Sequence, residues 1–262
     1  MKFPFFWIDA FTDHAMVGNP AGVVPLDTWP DDALLQRMAF EHGLSETAFF
    51  VRTGEARFHL RWFTPATEVD LCGHATLASA HVLFRELGQT GELITFDSRS
   101  GPLTVARRAD GKLELDFPAR SADAAEPPVA LLRGLGRAPE FTACSERMWL
   151  CVYGSADEVV ALRPDHAALR DVTPGRIIVT APGRDCDFVS RFFAPDAGVA
   201  EDPVTGSAHC TLMPYWTARL GRTRLHARQV SARGGELWCE LAGARVRIAG
   251  HAVRYLRGEI SL

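Results

Sequence analysis

Lysine is almost missing from this chain. Of its 28 basic residues only Lys2 and Lys112 are lysines, and the other 26 are arginines. A Schiff-base enzyme, a pyridoxal phosphate enzyme or a P-loop nucleotidase needs a lysine inside a formed site. Lys2 is terminal and Lys112 follows Asp110-Gly111, a hairpin-turn pair that normally faces solvent, so these chemistries are excluded. No GxGxxG occurs either. The nearest approach, Gly134-Leu135-Gly136, has Pro139 in place of the third glycine, which argues against a dinucleotide site. The six cysteines (72, 144, 151, 186, 210, 239) form no CxxC and no regular framework, and read as reduced thiols. HExxH and paired-cysteine spacings are missing, His74 and His81 stand seven apart, and no metal site is expected. Long apolar runs are missing too. The longest charge-free stretch, residues 203–218, is 16 residues long and holds two prolines and a histidine, short of a membrane span. The aromatic stretch before Asp9 is too brief for a signal peptide. A cytoplasmic protein with no membrane partner is expected, and the net charge of 28 − 32 = −4 gives no electrostatic ground for a nucleic-acid partner.

What is present is an ordinary globular composition, 47% hydrophobic, over a length that suits one large or two modest domains. Residues 121–129, rich in Ala, Asp, Glu and Pro, read as a linker between a first half, 1–120, and a second, 121–251. In the first half residues 3–11 read as a strand, Gly18-Asn19-Pro20-Ala21-Gly22 as a turn, and 31–42 as an amphipathic helix bracketed by Pro30 and Gly43. Strands near 47–52 and 57–63, a helix over about 73–87 and further strands follow.

An internal repeat is the most informative feature. Arg61-Trp62-Phe63-Thr64-Pro65 is followed by Glu68 and Asp70, then by Cys72-Gly73-His74-Ala75. Arg191-Phe192-Phe193-Ala194-Pro195 is followed by Glu201 and Asp202, then by Thr205-Gly206-Ser207-Ala208. Each copy runs from a strand through a loop into an apolar helix that starts at glycine, although Pro214 is expected to kink or end the second helix. A buried helix start presents unpaired N–H groups and a positive dipole end. Two such starts aimed at one inter-domain cleft would hold a carboxylate and stabilise an enolate.

Several side chains could carry chemistry. Glu46, between a helix end and an apolar strand, is either exposed or used; if buried, its carboxyl would titrate near neutrality, as suits a general base. His74, at a helix start, is either a neutral hydrogen-bonding group of a site or a structural histidine. Asp202 and Ser207 flank the second glycine and suit helix capping as well as catalysis. Cys72, beside the first helix start, could be a thiolate base. Its repeat mate is Thr205, so a symmetric two-thiol racemase is disfavoured.

The blocks Gly18-Asn19-Pro20-Ala21-Gly22, Ser45-Glu46-Thr47, Asp70-Leu71-Cys72-Gly73-His74-Ala75, Glu201-Asp202-Pro203-Val204-Thr205-Gly206-Ser207 and Gln229-x-Ser231-x-Arg233-Gly234-Gly235 together resemble the phenazine-biosynthesis PhzF-like isomerase family, in order and over nearly the whole chain. The resemblance implies a diaminopimelate-epimerase-like α+β fold, in which two pseudo-symmetric domains each wrap a curved, barrel-like sheet around a central helix, with residues 252–262 returning to the first. It implies a cofactor-independent isomerase acting in a cleft, with Glu46 as acid/base, His74, Asp202 and Ser207 in support, and Gly73 and Gly206, with Cys72 and Thr205, binding the substrate. In the phenazine-pathway member a proton moves between carbons of a dihydro-hydroxyanthranilate. The partners expected are a small carboxylate and a second copy of the chain in a homodimer. Two rival readings stand beside this one: a Cys72-dependent epimerase or dehydratase on the same fold, and a non-catalytic ligand-binding protein.

Overall fold

The computed structural model describes residues 1–262. The chain divides into two compact units, one made of residues 1–116 with 249–262 and one of residues 117–248. No helix is long and apolar enough to cross a membrane.

The first unit holds β1 (Lys2–Ala10), β2 (Asn19–Leu26), α1 (Asp32–His42), β3 (Glu46–Arg52), β4 (Arg57–Phe63), β5 (Glu68–Val69), α2 (Gly73–His81), β6 (Leu93–Ser98), β7 (Gly101–Arg107) and β8 (Leu113–Pro118). The second holds β9 (Asp123–Ala124), α3 (Val129–Leu135), β10 (Phe141–Cys144), β11 (Trp149–Val152), α4 (Ala156–Ala161), α5 (His166–Leu169), β12 (Ile177–Pro182), β13 (Phe188–Ala194), β14 (Val199–Asp202), α6 (Gly206–Leu220), β15 (Arg224–Gln229), β16 (Gly235–Ala242) and β17 (Arg245–Gly250). The last strand, β18 (Ala252–Ser261), belongs to the first unit and pairs antiparallel with β1 along its length, Lys2 opposite Ser261 and Ala10 opposite Ala252.

The two units share one pairing scheme. In the first, β1 pairs antiparallel with β2, β2 parallel with β3, β3 antiparallel with β4, and β4 antiparallel with the short β5 and parallel with β6, which turns back antiparallel into β7. In the second, β10, β11, β12, β13, β14, β15 and β16 repeat that sequence of orientations step for step. A parallel pair needs a crossover. α1 supplies it between β2 and β3, and α4 and α5 supply it between β11 and β12. These helices cover the outer face of each sheet: Leu35, Met38 and Ala39 of α1 pack on Val24, Phe49 and Phe63, while Val159 and Leu169 join Ile177, Val179 and Phe193.

The inner face holds the central helix. Residues His74 to Ala80 of α2 are all buried, and the helix packs against β1, β2, β3, β7 and β18, strands spread across the sheet, so the sheet curves round it. A π-helical segment, Val82–Glu86, continues α2. α6 is the counterpart in the second unit, with Trp216 stacked on Phe188 at 5.5 Å and its indole N–H donated to the Thr180 hydroxyl at 3.0 Å.

The repeat extends to a part-buried ion pair. Arg61 forks onto Glu68 with two bonds of 2.8 Å, and Arg191 onto Glu201 at 2.7 and 2.9 Å. Each guanidinium also lies over the second aromatic of its own motif, Phe63 at 5.1 Å and Phe193 at 5.0 Å. Each pair ties the strand before the loop to the short strand that leads into the central helix, which fixes where that helix starts.

Two local expectations are corrected. Residues 19–22 are strand, not turn; only Gly18 bends the chain, at φ +73°, where a Cβ would stand 2.2 Å from the Ala10 carbonyl oxygen. The apolar run after Pro20 is held between β1 and β3, and that pairing overrides the turn-like composition. Pro214 does not end α6, which is assigned as one helix from Gly206 to Leu220. The carbonyl that a residue-214 N–H would have bonded, that of Cys210, accepts the Arg120 N–H at 2.9 Å instead.

Candidate active site

Glu46 opens β3 and pairs with Ala21 of β2, one step before Gly22 opposite Thr47. A Cβ on Gly22 would stand 3.0 Å from the Thr47 hydroxyl, so a glycine lets β2 and β3 approach here. Across the inner face, α2 starts at Gly73 and presents His74 in its first turn. His74 Nε2 lies 3.3 Å from a Glu46 carboxylate oxygen, Asn19 Nδ2 lies 3.2 Å from Nδ1, and Cys72 Sγ is 3.5 Å from Nδ1 and 4.0 Å from Nε2. The imidazole is 5% exposed. Burial pushes its pKa down to about 3, a shift that its hydrogen bond to the Pro20 carbonyl opposes only in part. His74 is therefore neutral near pH 7, and its contact with Glu46 is a hydrogen bond rather than an ion pair. Cys72 and His74 are buried, whereas the Glu46 side chain keeps 20% of its surface exposed. A carboxylate open to solvent on one side and bonded to a neutral imidazole on the other can take up and return a proton.

The second copy is assembled differently. Asp202, at the end of β14, accepts the Thr205 hydroxyl, and the Thr205 N–H donates to Gln229 Oε1 at 2.8 Å. Gln229 Nε2 donates to the Asp202 carbonyl at 2.7 Å and lies 3.2 Å from the Thr205 hydroxyl oxygen. Ser231 donates to the Pro203 carbonyl at 2.8 Å. Residues 202–205 are thereby held as a rigid approach to α6, whose first residues are Gly206 and Ser207. Thr205 is the N-cap residue, and its hydroxyl is donated to Asp202 rather than used as a side-chain cap. His209 donates from Nδ1 to the Thr205 carbonyl at 2.9 Å, the i−4 bond that Thr76 makes to Cys72 at 2.6 Å in the first copy.

Of the residues singled out from sequence, Glu46, Cys72, Gly73 and His74 stand together in the first unit, and Asp202, Thr205, Gly206 and Ser207 in the second. Asn19 and Gln229 were missed as individuals. Both belong to blocks that sequence alone marks out, but the signal for each is a contact made from a strand to the start of the central helix.

A sheet curled round a central helix that starts at a glycine, built twice, defines the diaminopimelate-epimerase-like class. A probable proline racemase from Agrobacterium radiobacter superposes with a TM-score of 0.64 at 12% identity, over 99% of this chain and 93% of that one, a likeness of fold alone. Within that class the chain belongs to the phenazine biosynthesis-like family, PhzC-PhzF, whose model matches residues 8–258. A protein described as an uncharacterized isomerase of Pseudomonas aeruginosa is 53% identical over the full length of both chains. A PhzF-family crystal structure from Enterococcus faecalis superposes with a TM-score of 0.96 at 42% identity, covering all of both chains. The family is of isomerase type.

Proposed function

We propose that this protein isomerises a small carboxylic acid by moving a proton between two of its carbons, with Glu46 as the acid/base that removes the proton and returns it on the same face. One observation carries the reading: Glu46 is bonded to a buried, neutral imidazole and faces solvent on its other side. The repeat adds to it. Phe63 opposes Thr47 and Phe193 opposes Ile177, so the position matching Glu46 in the second copy is Arg176, which cannot accept a proton. A two-base mechanism with a base at matching places in both copies therefore has no second base to call on.

In this reading His74 holds the Glu46 carboxylate and shares the incoming proton's charge through Nε2. The first-turn amides of α2, starting at Gly73, stabilise the anionic intermediate beside it. We assign Asp202, Thr205, Gly206 and Ser207 to the same reaction as substrate-binding groups, on the strength of the repeated sequence and strand pairing. No cofactor is assigned, and the working form is taken to be a cytoplasmic homodimer.

The test is a screen of small unsaturated or hydroxylated carboxylic acids in deuterated water, followed by NMR. Carbon-bound exchange or isomerisation by the wild-type protein that falls about 10² to 10⁴-fold in Glu46→Gln supports the assignment. If Glu46→Gln still exchanges while Cys72→Ser is inert, the thiol is the base. Saturable binding with no exchange for any acid bound would make the protein a ligand-binding one.

A further inference from the structure

A neutral imidazole carries one N–H, and the ring nitrogen that holds it decides what His74 does for Glu46. A Glu46 carboxylate oxygen lies 3.3 Å from Nε2, and the Asn19 amide nitrogen lies 3.2 Å from Nδ1. We propose that Asn19 is a positioning residue: by donating its amide N–H to Nδ1 it holds His74 in the Nε2–H form, which donates to the Glu46 carboxylate. The consequence for catalysis rests on the base assignment above; the tautomer does not.

The groups round the ring agree on that form. As a base Glu46 starts ionised, and an ionised carboxylate only accepts, so Nε2 supplies the proton. At Nδ1 the neighbours are donors: the Asn19 carboxamide and, at 3.5 Å, the Cys72 thiol, a weak one. The Pro20 carbonyl competes for the N–H, but a charged acceptor holds it more strongly than a neutral one. Turned over, the Asn19 carboxamide would present its oxygen and draw the N–H to Nδ1. The Nε2 lone pair would then face the carboxylate, acceptor against acceptor. An orienting group behind the histidine of a catalytic triad acts in the same way.

Asn19 is the chain's sole asparagine and is 0% exposed, and an amide is costly to bury unless it is bonded. The fold makes a particular provision for it. Gly22 opposes Trp7 and Thr47 in the first unit as Trp149 opposes Cys144 and Ile177 in the second. β10 and β11 pair no further than Cys144 with Trp149, where the Ser145 N–H donates to the Met148 carbonyl and closes the turn. β1 and β2 continue for three more pairs, Ile8 with Ala21, Asp9 with Pro20 and Ala10 with Asn19. That added length brings Asn19 to the ring. The copy without it has Ser207 in place of His74 and Arg176 in place of Glu46. The extension therefore goes with the chemistry and not with the frame.

The experiment is NMR of the ring nitrogens in full-length protein isotope-labelled at its nine histidines, with no substrate present. Protonated and bare ring nitrogens resonate far apart, and the signals lost in His74→Gln and in His209→Gln assign those two rings. At neutral pH His74 should carry its proton on Nε2. His209, whose Nδ1 lies 2.9 Å from the Thr205 carbonyl, should show the opposite form and serves as the internal control. In Glu46→Gln the carboxylate is gone, and Asn19 alone should keep the His74 proton on Nε2; adding Asn19→Leu should end that preference. Asn19→Asp sets an acceptor at Nδ1 and should place a proton there. For a substrate found by the screen, Asn19→Leu should lower kcat by about 10 to 100-fold with KM unchanged, as loss of an outer partner does at other imidazole sites. Circular dichroism verifies that each variant is folded, and the wild-type and Glu46→Gln spectra decide the matter if an Asn19 variant is not. A His74 proton on Nδ1 in wild type, or loss of the Nε2–H form in Glu46→Gln alone, overturns the proposal. Because the spectra need no substrate, their failure leaves the isomerase reading standing, and an inactive screen leaves the tautomer standing.

Discussion

Around Gly73 the chain sets a carboxylate, a thiol and an imidazole; at the matching places around Gly206 it sets Arg176 and the hydroxyls of Thr205 and Ser207. The second copy does own an acid, Asp202, but it stands where the first has Val69, and it is occupied by Thr205. The frame is common to both: the strand pairing, the Arg-to-Glu fork, the guanidinium over an aromatic ring, the helix opening at glycine. What holds a helix start in place and what acts there are therefore separable in this fold. The first has been kept in both halves, and the second differs.

The hardest blow to that contrast would come from exchanging the groups at its two ends. Glu46→Gln is expected to reduce turnover of any substrate found by about 10² to 10⁴-fold, while Arg176→Gln, an exposed residue at the matching position, should leave kcat/KM within about twofold. Comparable losses in both variants would make the second copy a partner in the chemistry.

The frame is tested by its ion pairs. Glu68→Gln and Glu201→Gln each leave a largely shielded guanidinium short of its charge partner, and each should cost about 1.5 to 3 kcal/mol in urea unfolding. Arg61 retains Asp32 at 2.8 Å, whereas Arg191 retains only the carbonyls of Val159 and Leu162, so the second loss should be no smaller than the first. A near-neutral result in either copy would mean that the fork does not hold its helix start.

Acid reports on both halves at once. His74 and His209 are buried, and burial pushes their pKa values down to about 3 and about 4 from an ordinary value near 6.5. Because the folded values are depressed, the stability these rings contribute is complete above about pH 6.5 and is lost as pH falls toward 4 and 3. Each should account for on the order of 1 to 3 kcal/mol across that window. Unfolding free energy measured from pH 7 to pH 4 should fall less steeply in His209→Gln. An unchanged slope would show that this ring does not titrate with folding.

Smallest of all should be Pro214→Ala, within about 1 kcal/mol by thermal melt, because the Cys210 carbonyl already has its donor in Arg120. A large gain would mean that the proline strains the helix after all.

Much of this frame was legible in sequence because it is written in runs. The strands near 47–52 and 57–63 and the helix before Gly43 follow from local pattern and punctuation, and the two helices opening at Gly73 and Gly206 from the repeat. Resemblance then placed the fold class. What was not legible depends on partners far away in the chain. Residues 19–22 have turn composition, and only their neighbours in β1 and β3 make them a strand. Pro214 is tolerated because of a backbone N–H 94 positions upstream, 214 − 120. Likewise nothing local says that Gln229 will meet Thr205, 24 residues before it, or that Asn19 will meet His74, 55 residues on. Pairs at such separations are set by the closure of the sheet round its helix, which no window of sequence contains.

The pairing of β18 with β1 also has a meaning for synthesis on the ribosome. The strand carrying Phe3, Phe5, Phe6 and Trp7 is made 252 − 10 = 242 residues ahead of its edge partner. Residues 117–248 form a contiguous stretch and can fold as soon as they are out, while the first unit must wait for residues 249–262. At about 5 to 20 residues per second, translation leaves that aromatic edge without β18 for roughly 12 to 50 s. Aggregation or chaperone capture of nascent chains should therefore track the exposed β1, and a released chain truncated after residue 251 should hold a finished second unit and an incomplete first.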